Sequence, residues 1–180
     1  MAINRGARPG HRLSLPLLCD PLYRDRRADL IVAAGESGAQ AERTRILAAE
    51  ARFADTLDPA VLPVALDGVS RATIRALSGA EFDACDLAIP APLMAQAGAE
   101  DGRLRLLWAQ QAERVRRGLA WLDGDETEVQ SYPVEALAGQ VGALWSDLRA
   151  ELAARIVTFS TLGEAVGSSC APSPGGPISE

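Results

Sequence analysis

The sequence contains no lysine and only one histidine among its 180 residues. Without lysine, the chain can supply no Walker-type phosphate lysine, no Schiff base and no lysine general base. The histidine, His11, lies in a basic leader containing Gly and Pro, "NRGARPGHR", which offers no ordered scaffold for an imidazole base or metal ligand. We therefore expect no cofactor, no metal site and no catalysis by histidine.

Cysteines are few and widely separated. Cys19, Cys85 and Cys170 form no CxxC pair and their number is odd, and we expect no signal peptide before them. A disulfide framework or a zinc ribbon is therefore not indicated. No apolar run approaches the roughly 20 residues that span a bilayer. These features predict a soluble cytoplasmic protein with reduced thiols and no membrane partner.

Charge is acidic overall and unevenly spread. The formal net charge is −6; residues 1–30 hold six Arg and three Asp, whereas residues 121–180 hold two Arg and nine acids. Nucleic-acid binding depends on clustered basic charge that neutralises phosphates, so this balance argues against it. The arginines of the N-terminal arm are interpreted as a solvated segment, and contact with an acidic partner stays open as the alternative. They are Arg5, Arg8, Arg12, Arg24, Arg26 and Arg27.

The length and a hydrophobic content of 48% predict one domain with its own core. We divide the chain into a flexible basic leader, residues 1–12, a single mostly helical domain, residues 13–166, and a disordered tail, residues 167–180. The tail consists mainly of Gly, Pro and Ser and has almost nothing to bury. The expected fold class is mainly α (α+β), with one short N-terminal β-hairpin.

In the first part of the domain, the sequence pattern predicts an extended segment followed by a helix. "LSLPLL" is a short extended run that Pro16 confines to an edge or irregular position. "AQAERTRILAAEARFADTL" carries an apolar stripe and predicts a helix that ends before Asp58 and Pro59. The members of this stripe are Ile46, Leu47, Phe53 and Leu57.

The β-hairpin is predicted around Asp67 and Gly68, the dipeptide that best tolerates the positive φ angles of a two-residue turn. Its strands would be residues 61–66 and 69–76. An alternative stays open, because Val69, Thr73 and Leu77 also fit a helix at a spacing of four residues.

Three helices are predicted after the hairpin. In the first, Ser78 and Glu81 form a capping box, and Pro90 and Pro92 close the helix. Its apolar side is formed by Phe82, Cys85 and Ile89. The second helix stops near 123–124, and its stripe is Leu104, Leu107, Trp108, Gln111, Val115, Leu119 and Leu122. The third has Pro133 in its first turn, and its stripe is Leu137, Val141, Leu144, Trp145, Leu148, Leu152, Ile156 and Phe159.

Four segments contain residues that occur in active or metal sites, but each has a simpler interpretation. Asp83 and Asp86 share a helix face while Glu81 points away, so these acids are interpreted as surface charges. Cys85 alternates with apolar residues and is expected in the core. "DGDETE" does not begin a loop with the glycine at position 6 and the acid at position 12 that an EF-hand requires. "GESGA" lacks the second glycine of the G-x-S-x-G nucleophile elbow.

Three segments follow one another between residues 64 and 166. "VALDGVSRATIRALSGAEFDAC" combines a strand with an "R-x-L-[ST]-x-x-E" helix entry, carried by Arg75, Leu77, Ser78 and Glu81. A helix then runs into "GLAWLDGDE", and "YPVEALAGQVGALWSDLRAELAARIVTFSTLG" forms a closing helix. This succession resembles the tail assembly chaperones of long-tailed phages and related gene transfer agents.

The resemblance implies a non-enzymatic protein that binds the tape-measure protein and recruits tail-tube protein during assembly in the host cell cytoplasm. Homo-oligomerisation stays open. Wide apolar helix stripes are compatible with shielding the helices of a partner. Trp108 and Trp145 lie on such stripes, where large rings serve either the core or an interface. The residues expected to contact the partner are Trp108, Leu144, Trp145, Leu148, Leu152, Ile156 and Phe159.

Two other functions stay open from the sequence. The first is a structural component of the virion, such as a head-tail connector or a small adaptor that remains in the particle. The second is a hydrolase or transferase that uses Cys85 or the acids near it.

Overall fold

Helices make up most of the structure, as predicted for a mainly α fold. The computed structural model describes residues 10–95, 98, 100–122 and 145–167, with side chains as far as residue 162. Within these ranges, six α-helices accompany one small antiparallel sheet. The fold class expected from the sequence is confirmed.

The sheet has three strands in the order β1-β2-β3, formed by β1 (Arg12–Pro16), β2 (Arg71–Arg75) and β3 (Leu119–Leu122). β1 is an edge strand and Pro16 is its last residue, as predicted from the lack of an N–H on proline. Backbone hydrogen bonds join Gly10 and His11 to Ala76 and extend this pairing. Residues 10–12, which were predicted to belong to the leader, are therefore part of this pairing.

The predicted hairpin is wrong. Residues 71–75 do form a strand, but they pair with β1 and β3 and not with residues 61–66. Gly68 has a φ of +73° and makes the expected turn after Asp67. The preceding segment cannot pair, because Pro59–Val61 is a 3-10 turn and Pro63 has no N–H. The guanidinium of Arg26 instead donates to the carbonyls of Ala65 and Asp67, at 2.8 and 2.7 Å.

Two helices precede this segment. α1 (Pro21–Ala33), in which five of thirteen residues are charged, was not predicted; it begins where Asp20 accepts from the N–H groups of Leu22 and Tyr23. α2 (Gly35–Thr56) ends before Asp58 as predicted. Gly35 joins the two helices with a φ of +68°, a conformation that glycine adopts without steric cost.

α3 (Gly79–Leu87) begins with the predicted capping box. The Ser78 Oγ accepts from the Glu81 N–H at 3.3 Å, and the Glu81 Oε2 accepts from the Ser78 N–H at 2.8 Å. Glu81 also forms an ion pair with Arg75 at 2.7 Å, which ties the helix start to β2. The two prolines do not both close the helix, because Pro92 lies in the first turn of α4 (Ala91–Ala95).

The predicted second long helix is shorter than expected. α5 (Glu100–Gly118) ends at Gly118, and residues 119–122 form β3. A β-carbon at Gly118 would lie 2.6 Å from Ile156 Cγ2, so glycine allows close packing against the last helix. That helix, α6, is described from Trp145 to Gly167. Pro133 and the first three apolar positions of its predicted stripe, 137, 141 and 144, lie outside the described residues.

The core lies between the sheet and the helices α1, α2, α5 and α6. Leu15 and Ile74 supply the sheet side, and Leu152 and Ile156 supply the side of α6. Its largest fully buried side chains include Tyr23, Phe53, Leu15, Ile46, Ile74, Leu119, Leu152, Ile156 and Val115. Burial of a large apolar side chain stabilises a fold by about 1.5–3 kcal/mol, so this cluster is the main source of stability.

Candidate partner-binding surface

The N-terminal half of α5 exposes a row of large apolar side chains, Leu104, Leu107 and Trp108, which we call the α5 ridge. Their exposed fractions are 45%, 44% and 47%. Spacings of three and four residues place them on one side of the helix. Further along the same side, Val115 and Gly118 are buried against the rest of the fold. The ridge is therefore the exposed continuation of a buried seam.

Arg149 of α6 lies beside this ridge. Its guanidinium carbon is 5.3 Å from the centroid of the Trp108 ring and 5.6 Å from that of Trp145, within the range of cation–π attraction. Its Nε donates to Gln111 Oε1 at 3.2 Å. Burial lowers the pKa of Arg149, because the charged guanidinium has lost part of its water shell. We call Arg149 with the two rings the Arg149 site.

The structure separates the predicted partner-binding residues into two groups. Trp108 is half exposed, and Trp145 and Phe159 are partly buried. Leu148, Leu152 and Ile156 are core residues of this chain, so they are not available to a partner in this fold and the predicted surface is corrected accordingly. The apolar stripe alone could not distinguish these positions, because residues facing the core and residues at its rim have the same spacing. Leu144 lies outside the described residues.

A second cluster of polar groups, which we call the Glu151 clamp, joins α6 to the segment after β1. The Glu151 carboxylate accepts from the backbone N–H groups of Leu18 and Cys19 at 2.6 and 2.8 Å. It also forms an ion pair with Arg155, which is only 4% exposed. Arg155 in turn donates to the Pro16 carbonyl and lies 4.7 Å from the centroid of the Phe53 ring. The clamp is structural, since every one of these groups is engaged within the fold.

The cysteines at positions 19 and 85 are free, buried thiols. Burial raises the pKa of Cys19, and the neighbouring Glu151 carboxylate raises it further. Burial also raises the pKa of Cys85. Both thiols are therefore held in the protonated form, which is a weak nucleophile. The expected core position of Cys85 is confirmed, and Cys170 lies outside the described residues.

The other candidate chemical groups that the structure describes are not brought together. Glu81 is used in the capping box, Asp83 is exposed, and Asp86 accepts from the Gln110 amide of α5 at 3.4 Å. Ser37 of "GESGA" is exposed in the first turn of α2. Residues 123–128, "DGDETE", are not described. Within the described ranges, no three His, Cys, Asp or Glu side chains are grouped to hold a metal ion.

Asp20 combines the N-cap of α1 with a longer-range contact. One carboxylate oxygen accepts from the Leu22 N–H at 2.7 Å and the other from the Ser70 N–H at 3.1 Å. Desolvation, the largest single effect, would raise the pKa of Asp20. The hydrogen bonds from Ser70, Leu22 and Tyr23 together outweigh it, so the pKa is lowered. Stabilisation by this carboxylate is therefore present above its unfolded pKa of about 4 and lost as the pH falls through the folded value.

Asp20→Asn is expected to make the free energy of unfolding less dependent on pH in the acid range. Asparagine remains a good N-cap, but it cannot ionise, and we expect a loss of about 1 kcal/mol at pH 7 that shrinks as the pH falls below about 4. Urea unfolding across a pH series measures this difference. Asp25→Asn, which removes an exposed carboxyl from the same helix, is the matched control. Identical pH slopes for wild type and Asp20→Asn would contradict the prediction.

No family model, no curated protein and no solved structure matches this chain. Among the helices of the described residues, none has the length and apolar character needed to cross a membrane.

Proposed function

We propose that this protein is a non-enzymatic assembly chaperone of phage tails, which binds amphipathic helices of the tape-measure protein and helps to recruit tail-tube subunits. The α5 ridge carries this proposal. The proposal also rests on the resemblance of residues 64–166 to tail assembly chaperones. The protonated, buried state of Cys19 and Cys85 argues against the alternative of an enzyme that uses a thiol nucleophile.

The arrangement of the ridge favours a helical partner. Single exposed apolar residues are common on protein surfaces, whereas a contiguous row is typical of an interaction site. Leu104, Leu107 and Trp108 are about one turn apart at most, so an apolar stripe on a partner helix can lie against all three. Trp108 adds the kind of large ring that frequently dominates the energy of an interface.

Substitution of the ridge tests this function. Leu104→Asp and Leu107→Asp place a charge in the contact, and each is expected to weaken partner binding by about tenfold or more. Both side chains are half exposed, so the fold should be retained. Leu47→Asp, at a 54% exposed position of α2 outside the ridge, is the matched control and should bind as wild type does. Co-purification from cells that also express the neighbouring genes measures recovery of the partner.

The outcomes separate the candidate functions. Recovery of a long helical tape-measure protein with wild type and the Leu47 variant, but not with the ridge variants, supports the chaperone. A stable monomer that recovers none of the neighbouring gene products counts against it. Mass spectrometry of purified particles then distinguishes a chaperone, which should be missing from them, from a connector or adaptor, which should be found.

A further inference from the structure

The side of α5 that carries the ridge begins with two acidic residues. Glu100 and Asp101 precede Leu104 by four and three residues, so they lie on the same side of the helix, one turn before the ridge. Both acids are exposed, as are the three ridge side chains. Acidic residues stabilise the first turn of a helix through its dipole, but here their charge also stays at the surface. The exposed stripe of α5 is therefore acidic at one end and apolar along the rest.

The chain offers few basic groups that could neutralise this acidic end. Between described residues, the ion pairs involve neither Glu100 nor Asp101. The segment that joins β3 to α6, residues 123–144, contains five acids and no Arg, Lys or His. Residues 168–180 also lack a basic side chain. These two segments therefore cannot supply a positive side chain to the acidic end of the stripe.

Two arginines of α5 lie near the acids but to the sides of the stripe. Successive residues of a helix are about 100° apart, which places Arg103 and Arg105 on opposite flanks of Leu104. The arginines thus border the apolar row, whereas Glu100 and Asp101 are in line with it. The formal net charge of the chain, −6, favours a basic partner as well, because opposite charges steer association.

We infer that the α5 ridge binds an amphipathic helix with a Lys or Arg one turn beyond its apolar stripe, and that Glu100 and Asp101 bind this basic group. The inference rests on the proposed function, since it requires that the ridge accepts a helix, and it adds the chemistry that recognises that helix. The apolar row supplies a contact that many amphipathic helices can match. An acidic residue at the same place would be repelled, so the two carboxylates discriminate between such helices.

A peptide series tests the inference with defined probes. Each probe is an amphipathic peptide of about 18 residues, five helical turns, with one leucine stripe. Lys, Gln or Glu is placed one turn before the stripe in one set and one turn after it in the other. Titration calorimetry with the full-length protein at low salt measures each affinity. In one placement we expect Lys to bind about two- to fivefold tighter than Gln, the range for an exposed ion pair, and Glu to bind more weakly than Gln.

Substitution of the two acids assigns the preference to their side chains. Glu100→Gln combined with Asp101→Asn should abolish the difference between the Lys and Glu peptides and leave the affinity for the Gln peptide within about twofold. Asp55→Asn, which removes an exposed acid from α2, is the matched control and should keep the full preference. Leu104→Asp should weaken the binding of every peptide, because all of them lie on the ridge. Circular dichroism checks that each variant is folded.

Four results would overturn the inference. They are a Lys peptide that binds no tighter than the Glu peptide in either placement, a Lys preference that survives the double substitution, binding that Leu104→Asp leaves unchanged, and absence of binding by all the peptides. None of them decides the proposed function, which depends on recovery of the tape-measure protein in the co-expression experiment.

Discussion

Replacing Glu151 with Ala is expected to lower the free energy of unfolding by about 3–5 kcal/mol, the cost of removing one partner from a buried ion pair. Arg155 would keep its charge in a site where it is 4% exposed. The N–H groups of Leu18 and Cys19 would also lose their acceptor. Since small domains are stable by only about 5–15 kcal/mol, this loss should be visible as a large shift of the urea midpoint.

Two comparisons show whether the clamp is responsible. Asp147→Ala breaks the ion pair with Arg24, in which the Arg24 side chain is 47% exposed and the Asp147 side chain 52% exposed. Because this pair is at the surface, the variant should lower the free energy of unfolding by less than about 1 kcal/mol. The double variant Glu151→Ala with Arg155→Met removes the unpaired charge and should recover part of the loss. A single-variant cost as small as that of Asp147→Ala would show that the clamp does not stabilise the fold.

Gly118→Ala is expected to destabilise the packing of α5 against α6 by about 1–3 kcal/mol. The new β-carbon would lie 2.6, 2.7 and 2.9 Å from the Cγ2, Cδ1 and Cγ1 atoms of Ile156. Ile156 is fully buried and branched at Cβ, so it has few alternative rotamers to which it can move. Either the isoleucine or the two helices must shift.

A double-variant cycle isolates this contact. Ile156→Ala alone creates a cavity and should cost about 2–5 kcal/mol, but it also removes the atoms that meet the new β-carbon. Gly118→Ala with Ile156→Ala should therefore cost less than the sum of the two single variants by about 0.5–3 kcal/mol. Gly79→Ala, where a β-carbon meets nothing within 4 Å, is the control. Strict additivity in the cycle would contradict the proposed clash.

The parts of the fold that the sequence predicts correctly depend on residues close together in the chain. The capping box of Ser78 and Glu81, the edge position of Pro16 and the end of α2 each follow from a few adjacent residues. The partners of β2 cannot be predicted from adjacent residues, because they lie far away in the chain: Ile74 pairs with Leu13 on one side and Leu119 on the other. The turn at Gly68 was correctly predicted, but a turn does not determine which strands pair.

The candidate site was predictable only in part for a similar reason. The spacing of apolar residues identified Trp108 and Trp145 as members of helix stripes, but it could not assign each position to the core or to the surface. Arg149 was missed because apolar periodicity does not count charged residues. Its cation–π contact is with a ring from another helix, that of Trp108, which is 41 residues earlier in the chain and 5.3 Å away in space.

The Glu151 clamp has a consequence for the order in which the protein acquires its structure during synthesis. Glu151 and Arg155 bind backbone groups of Leu18, Cys19 and Pro16 that precede them by 132 to 139 residues. Such long-range contacts close large loops and slow folding. A ribosome must therefore synthesise the chain past Arg155 before the clamp can hold the segment after β1, and until then the apolar core residues that α6 covers are exposed to other proteins in the cell.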